Sequence, residues 1–313
     1  MRVSGDALVF YSAVDDGEAW RAALNAEFPE LDVRIDPDVG DPADIRYALV
    51  WTPPAGFFAR FPNLQLVVNL GAGVDSLMRR DDLLPVKFAR LNDPGMEAMM
   101  ASYVIFAVTR YARDIPVFER AKRRGEWDYV HPRPLYEIKV GVLGLGELGA
   151  ASAKALAGMG YTVSGWSRSP KDIPGVTAFT GREGLERVLG ESEIVVCLVP
   201  LTPETHHLLG AAELALMPRG AKLVNVSRGP LVDEVALVEA LRSGHLAEAT
   251  LDVFETEPLP NGHPLWTLDN VLITPHVASI TVPALAARDV AESIRRVRQG
   301  LPPLHEVDPR RGY

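Results

Sequence analysis

The segment Val140-Gly141-Val142-Leu143-Gly144-Leu145-Gly146-Glu147-Leu148-Gly149 constrains this chain more than any other. It places the spacing GxGxxG directly behind a short apolar run and ahead of Ala150 to Met159, a stretch of good helix formers. In a strand–turn–helix setting each glycine has a task. Gly144 permits the tight turn, Gly146 lets the backbone approach a pyrophosphate, and Gly149 allows helix and strand to pack closely. The helix N-terminus then presents unpaired N–H groups and the positive end of its dipole to the phosphates. Gly144, Gly146, Glu147, Leu148 and Gly149 are therefore candidate contacts for a dinucleotide.

The flanking sequence supports a parallel sheet. Short apolar runs at Lys139 to Leu143, Thr162 to Trp166, Ile194 to Val199, Leu223 to Val226, Ala249 to Val253 and Val271 to Ile273 alternate with helical or turn-rich sequence, the pattern of βαβ units. The first hundred residues show the same alternation, with runs at Ala7 to Tyr11, Tyr47 to Trp51 and Leu66 to Asn69 and a helix from Ala19 to Phe28. Asp93-Pro94-Gly95 interrupts the chain before one long apolar helix, Met96 to Arg113, and another helix is expected from about Pro283 to Arg298. At 313 residues the chain exceeds the usual size of a single core, so two α/β domains are expected.

Charge and cysteine content narrow the function. A formal net charge of -9 is the wrong sign for a phosphate backbone, so no nucleic-acid partner is expected. The single cysteine, Cys197, lies in an apolar run; it allows no intrachain disulfide and reads as a small buried hydrophobe. No apolar stretch approaches membrane-spanning length and no signal-peptide core follows Met1 to Asp6, so a cytoplasmic location without membrane partners is expected. The seven histidines are scattered, and the adjacent His206-His207 cannot face one way on a regular element, so no metal is expected.

The strand after the glycines should end at the adenosine ribose, where binders of NAD carry an acid. Here Thr162 to Trp166 runs into Ser167-Arg168-Ser169, and the next acid is Asp172. A guanidinium and two hydroxyls suit a 2′-phosphate that a carboxylate would repel, so NADP(H) is expected in preference to NAD(H). Lys171 stands nearby and reads equally well as a solvated lysine.

Three later strands each run into a polar residue: Arg228, Glu257 and His276. Ligands of open parallel sheets lie outside the carboxyl ends of strands, so these three side chains are expected to converge. Their chemistry suits reduction of a 2-oxo acid. Arginine holds a carboxylate and polarises a ketone, histidine donates a proton to the forming alkoxide, and glutamate favours and holds the imidazolium. Singly, each has an ordinary structural reading as a surface ion pair, a loop carboxylate or a turn histidine.

With the motifs GLGELG, LVPLTPET, LVNVSRGPLVDE, LDVFETEPLP and ITPHVAS in order, the chain from Val50 onward resembles the D-isomer-specific 2-hydroxyacid dehydrogenase family. The resemblance implies two doubly wound parallel-sheet domains, a Rossmann nucleotide domain (99–281) inserted into a flavodoxin-like substrate domain (1–98 and 282–313). It further implies a site in the cleft between domains and a homodimer. By motif it adds Pro200, Leu201 and Thr205 along the nucleotide, Asp252 at the nicotinamide amide, and Ala72 and Gly73, within Leu70 to Asp75, as backbone donors to a substrate carboxylate. The chain ends soon after its last helix, which argues against the regulatory domain of longer phosphoglycerate dehydrogenases.

Within the family the likeness is to the short glyoxylate/hydroxypyruvate reductases, through Val50-Trp51-Thr52-Pro53-Pro54, Gly95-Met96 and Trp166 to Ser169. Trp51 beside the substrate would shorten the pocket to fit a two- or three-carbon oxo acid; core packing is the competing reading. Residues before about Tyr47 carry no matching motif. Two alternatives stay open: a dehydrogenase for a larger or phosphorylated 2-hydroxy acid, and a dinucleotide-sensing, corepressor-like binding protein.

Overall fold

A computed structural model describes residues 6–308. The first five residues, used above in arguing against a leader, and the last five, assigned above to the substrate domain, lie outside the described residues. Contacts divide the chain into two compact units: one runs up to Met96 and resumes at Ile280, the other is Glu97–Ser279.

The first unit carries β1 (Ala7–Tyr11), α1 (Gly17–Glu27), β2 (Asp32–Ile35), β3 (Ile45–Val50), β4 (Leu66–Asn69), the short α2 (Asp75–Met78) and β5 (Lys87–Arg90). Its five strands are all parallel, in the order β2-β1-β3-β4-β5. This is the flavodoxin-like order, and its direction reverses between β1 and β3. Side chains alternate across the sheet: Val9, Ala48 and Val67 join the aromatic cluster of Phe57, Phe58 and Phe61, while Phe10 points the other way and stacks on Trp20 of α1. Burial on both faces is why the central strands read as unbroken apolar runs.

The long helix α3 spans Pro94–Ala112 and starts two residues earlier than expected. The turn Asp93-Pro94-Gly95 is its cap rather than a break. The Asp93 carboxylate accepts from the Gly95 and Met96 N–H groups, and Pro94 occupies the first helical position, where no N–H is needed.

The second unit continues with α4 (Ile115–Arg124), β6 (Lys139–Leu143), α5 (Glu147–Gly158), β7 (Thr162–Trp166), β8 (Val176–Phe179), α6 (Gly181–Glu191), β9 (Ile194–Cys197), α7 (Ala211–Leu216), β10 (Ala221–Asn225), α8 (Glu234–Arg242), β11 (Leu246–Leu251) and β12 (Val271–Ile273). All seven strands are parallel, in the order β12-β11-β10-β9-β6-β7-β8. The order is the Rossmann one, extended by an outer strand and reversing between β6 and β9. Val195 and Cys197 enter one core and Ile194 and Val196 the other, so this sheet too is buried on both faces. Burial pushes the Cys197 thiol up to about 12, in keeping with a packing role. The chain then returns to the first unit through α9 (Pro283–Arg298), which packs against α1. No helix among the described residues is long and apolar enough to cross a membrane.

Candidate active site

The glycine turn lies where the second sheet reverses. Gly144 follows β6 with φ +95°, and a Cβ there would come within 2.6 Å of Leu198 in the loop after β9. Only glycine satisfies both demands. A Cβ on Gly149 would sit 1.8 Å from the Gly144 carbonyl oxygen, so the first turn of α5 rests directly on the glycine loop. Gly146 differs: it has ordinary backbone angles, and a Cβ there meets nothing within 4 Å. Open space at the N-cap of a helix, lined by exposed Gly146 and Glu147 and half-buried Leu148, suits a pyrophosphate.

At the end of β7, Ser167 is buried, and its hydroxyl donates to the Ser169 carbonyl at 2.7 Å. That proton is used inside the loop rather than offered outward, whereas Arg168 and Ser169 are exposed. After β9, Pro200, Leu201 and Thr205 form a tight turn. Thr205 Oγ1 donates to the Pro200 carbonyl at 2.7 Å and accepts from the Thr202 N–H at 2.8 Å.

Arg228, Glu257 and His276 follow the adjacent strands β10, β11 and β12. Asn225, buried at the end of β10, donates from Nδ2 to the Arg228 carbonyl at 3.0 Å and shapes the turn there. A Cβ on Gly229 would lie 1.8 Å from the Phe254 carbonyl carbon, so the loops after β10 and β11 pack backbone against backbone. Glu257 accepts from the Phe254 N–H through Oε1 at 3.0 Å and faces His276 Nδ1 through Oε2 at 2.8 Å. The two side chains are 35% and 33% exposed, enough for a small ligand to reach. Burial pushes the Glu257 carboxyl up, but the hydrogen bonds from His276 and Phe254 and the charges of His276 and Arg228 outweigh it, leaving the group below its ordinary value.

His276 holds φ +57°, the left-handed region that a residue with a Cβ seldom adopts. Asp252, 1% exposed, grips the turn. Its backbone carbonyl accepts from the His276 N–H at 2.8 Å, Oδ1 accepts from the Thr274 hydroxyl and the Val277 N–H, and Oδ2 accepts from the Ala278 N–H. The motif resemblance aimed Asp252 at a nicotinamide amide; its contacts in this structure hold the histidine turn.

Sequence reasoning passed over several supporting residues. Glu234 accepts from the Glu255 N–H at 2.8 Å and lies 3.3 Å from His263, and Glu255 in turn pairs with His207 at 2.9 Å. In the first unit, Asn69 donates through Nδ2 to the carbonyls of Gly71 and Gly73 at 2.9 and 3.0 Å, shaping the loop that contains Ala72. Trp51 lies over that loop, since a Cβ on Gly71 would be 2.7 Å from its ring. The signal for Asn69 and Asn225 was present: each is a polar residue closing an apolar strand.

A glycine turn at the reversal point of a Rossmann sheet, with a carboxylate-backed imidazole following the outer strand β12 of the same sheet, defines a dinucleotide-binding α/β oxidoreductase. Residues 105–278 match the model of the D-isomer specific 2-hydroxyacid dehydrogenase NAD binding domain. A glyoxylate/hydroxypyruvate reductase A of Serratia proteamaculans is 39% identical over 98% of this chain and 99% of its own length. A solved D-isomer specific 2-hydroxyacid dehydrogenase of Xanthobacter autotrophicus, in complex with NADPH and MES, is 62% identical with a TM-score of 0.95 over 99% of this chain and 100% of its own. The NADPH-dependent glyoxylate/hydroxypyruvate reductase of Sinorhizobium meliloti, in complex with NADP and sulfate, is 34% identical with a TM-score of 0.92, covering 98% of this chain and 100% of its own. The chain belongs to the D-isomer-specific 2-hydroxyacid dehydrogenase family.

Proposed function

We propose that the protein reduces a small 2-oxo acid of the glyoxylate or hydroxypyruvate type to the D-2-hydroxy acid, with NADPH preferred over NADH. The observation that carries the reading is the 2.8 Å pairing of His276 Nδ1 with Glu257, a carboxylate that also feels the charge of Arg228. With Nδ1 held by Glu257, the imidazole presents Nε2 to a substrate and donates the proton there. Arg228 supplies a planar cation suited to the substrate carboxylate and draws electron density from the ketone. Glu257, fixed by the Phe254 N–H, stabilises the imidazolium before transfer and keeps the ring from turning.

The space at Gly146, the left-handed Gly144 and the α5 N-terminus suit the pyrophosphate of the dinucleotide, with Glu147, Leu148 and Gly149 completing the turn. When bound, the dinucleotide supplies the hydride. We assign Arg168 and Ser169 to the 2′-phosphate, with Ser167 shaping their loop, and Pro200, Leu201 and Thr205 to the nucleotide. Asp252 is assigned to the nicotinamide amide as well as to the turn. From the first unit we assign Trp51, Ala72 and Gly73 to substrate contact. These assignments divide the units into a substrate-binding and an NAD(P)-binding domain.

We further propose a cytoplasmic homodimer. Trp127, Tyr129 and Tyr136 are 97%, 76% and 69% exposed in the single chain, more aromatic surface than a monomer usually leaves to water. The buried single cysteine suits a reducing compartment.

The test follows NADPH absorbance with glyoxylate, hydroxypyruvate, pyruvate and larger 2-oxo acids, repeated with NADH and with Arg228→Ala and His276→Ala. Fast oxidation with the small acids is expected, with His276→Ala nearly inactive and Arg228→Ala impaired in both KM and kcat. Turnover with larger acids alone would move the substrate class. Silence across the panel, or full activity in His276→Ala, would overturn the proposal.

A further inference from the structure

Tyr103, on the long helix α3, is joined to the turn that carries His276. Its hydroxyl lies 2.6 Å from Thr274 Oγ1, and Thr274 Oγ1 lies 2.5 Å from Asp252 Oδ1. The direction of this chain is fixed by its last member. The other partners of the Asp252 carboxylate, Val277 and Ala278, are backbone N–H groups, so both of its oxygens act as acceptors. Thr274 has one hydroxyl proton and gives it to Oδ1. Its oxygen can then only accept from Tyr103, so the order is Tyr103 to Thr274 to Asp252.

The far end of the chain is the strained turn. His276 adopts φ +57°, and its own N–H is held by the Asp252 and Thr274 carbonyls at 2.8 and 3.1 Å. The two residues after it, Val277 and Ala278, are held by the Asp252 carboxylate at 2.9 and 2.8 Å. Asp252 therefore grips both sides of a histidine whose backbone conformation is disfavoured for any residue with a Cβ. A rotation of that carboxylate would release Val277 and Ala278 together and let the turn relax. What opposes the rotation on the Oδ1 side is Thr274, and what orients Thr274 is Tyr103.

The tyrosine ring alone does not account for the hydroxyl. The ring packs beside a core of Val104, Val108 and Val140, where phenylalanine would fill the same space. Burial pushes the Tyr103 hydroxyl up, the hydrogen bond to Thr274 pulls it down, and the nearby Asp252 charge raises it again, so it is held as a neutral donor. A half-buried hydroxyl aimed at a second hydroxyl, itself aimed at a buried carboxylate, is a directed network rather than a packing contact.

We propose that Tyr103 and Thr274 are positioning residues for His276: the Tyr103–Thr274–Asp252 chain locks the left-handed turn and so aims the imidazole. The inference rests on the reading of His276 as proton donor. Neither residue needs to touch substrate or dinucleotide to act in this way.

The test compares Tyr103→Phe, Thr274→Val and Thr274→Ser with the parent and with His276→Ala in the full-length protein. Thr274→Val removes one of two donors from Oδ1 and frees the carboxylate to rotate. A displacement of the donor by about 1 Å is enough to cost up to roughly 100-fold in rate, so a loss in kcat of about 10- to 100-fold is expected. Tyr103→Phe leaves the Thr274–Asp252 bond and should cost only about 3- to 10-fold. In both variants KM for the oxo acid should change by less than about twofold, and Thr274→Ser, which keeps the hydroxyl, should recover most of the rate.

Amide hydrogen exchange of Val277 and Ala278 gives a second readout that does not depend on turnover; it should quicken in Thr274→Val and return toward the parent in Thr274→Ser. Parent-like kcat and exchange in Tyr103→Phe and Thr274→Val, with His276→Ala inactive, would overturn the positioning role and leave the proton donor standing. Full activity in His276→Ala would instead overturn the donor reading and the catalytic consequence with it, while Val277 and Ala278 exchange in Thr274→Val identical to the parent would remove the turn lock as well. A fall in melting temperature that Thr274→Ser does not reverse, with kcat and KM lost together, would reduce the network to fold support.

Discussion

Gly146 and Gly149, three positions apart in the same turn, separate binding from stability when each is replaced by alanine. Gly146 has φ -72°, and a Cβ there meets no heavy atom within 4 Å. Alanine at this N-cap loses roughly 0.5–1 kcal/mol as a cap and regains about 0.4–1 kcal/mol by restricting the unfolded chain, so stability should stay within about 0.5 kcal/mol of the parent. At Gly149 the added carbon would stand 1.8 Å from the Gly144 oxygen, where contacts under 3.0 Å are essentially never seen. Helix α5 must move away from the loop, at a cost of about 1–3 kcal/mol. The methyl at Gly146 falls where the pyrophosphate is proposed to approach, and a similar overlap of about 1–3 kcal/mol weakens NADPH roughly 5- to 150-fold. Gly146→Ala should thus melt like the parent yet bind poorly, whereas Gly149→Ala should lose both. Thermal melting with and without NADPH, together with a fluorescence titration of the dinucleotide, separates the two. Parent-like NADPH affinity in Gly146→Ala would refute the assignment of the open space at the turn to the pyrophosphate.

Acid should act through Glu257. Its folded value lies below the ordinary 4.5, so its contribution to stability is present at neutral pH and is lost as pH falls through the folded value. The melting temperature of the parent should exceed that of Glu257→Gln at neutral pH, and the gap should close as pH falls below 4.5 through the folded value; a gap that widens on acidification would contradict the sign of the argument. Arg168→Ala should weaken NADPH about tenfold while changing NADH less than about twofold, because only the former carries the extra phosphate. Equal losses for both dinucleotides, measured by the same titration, would detach Arg168 from the 2′-phosphate.

The strands that the sequence reading missed share a place in the fold. Asp32–Ile35, Lys87–Arg90 and Val176–Phe179 are β2, β5 and β8, three of the four edge strands; the fourth, β12, is betrayed by its apolar run Val271–Ile273. An edge strand has one neighbour and partial solvent exposure, so it need not carry an unbroken apolar run, and these three do not. The central strands are covered on both faces and were legible for that reason. The helix starting at Pro94 was misplaced by two residues because Asp93-Pro94-Gly95 reads as a turn until the Asp93 cap is seen.

The amino-acid sequence by itself determined the parallel α/β class, the glycine turn, the family and the identity of the residues proposed for chemistry. Each depends on local spacing: a period of two or 3.6, glycine where a Cβ cannot fit, or a polar residue closing an apolar run. Tertiary structure alone decided what those residues do to one another. Asp252, Thr274 and Tyr103 are distant in sequence, and Ser167 spends its hydroxyl within its own loop. Hydrogen-bond partners are set by where strand ends and helices meet, and a side chain's donors and acceptors can be counted only when the packed chain has brought them within reach.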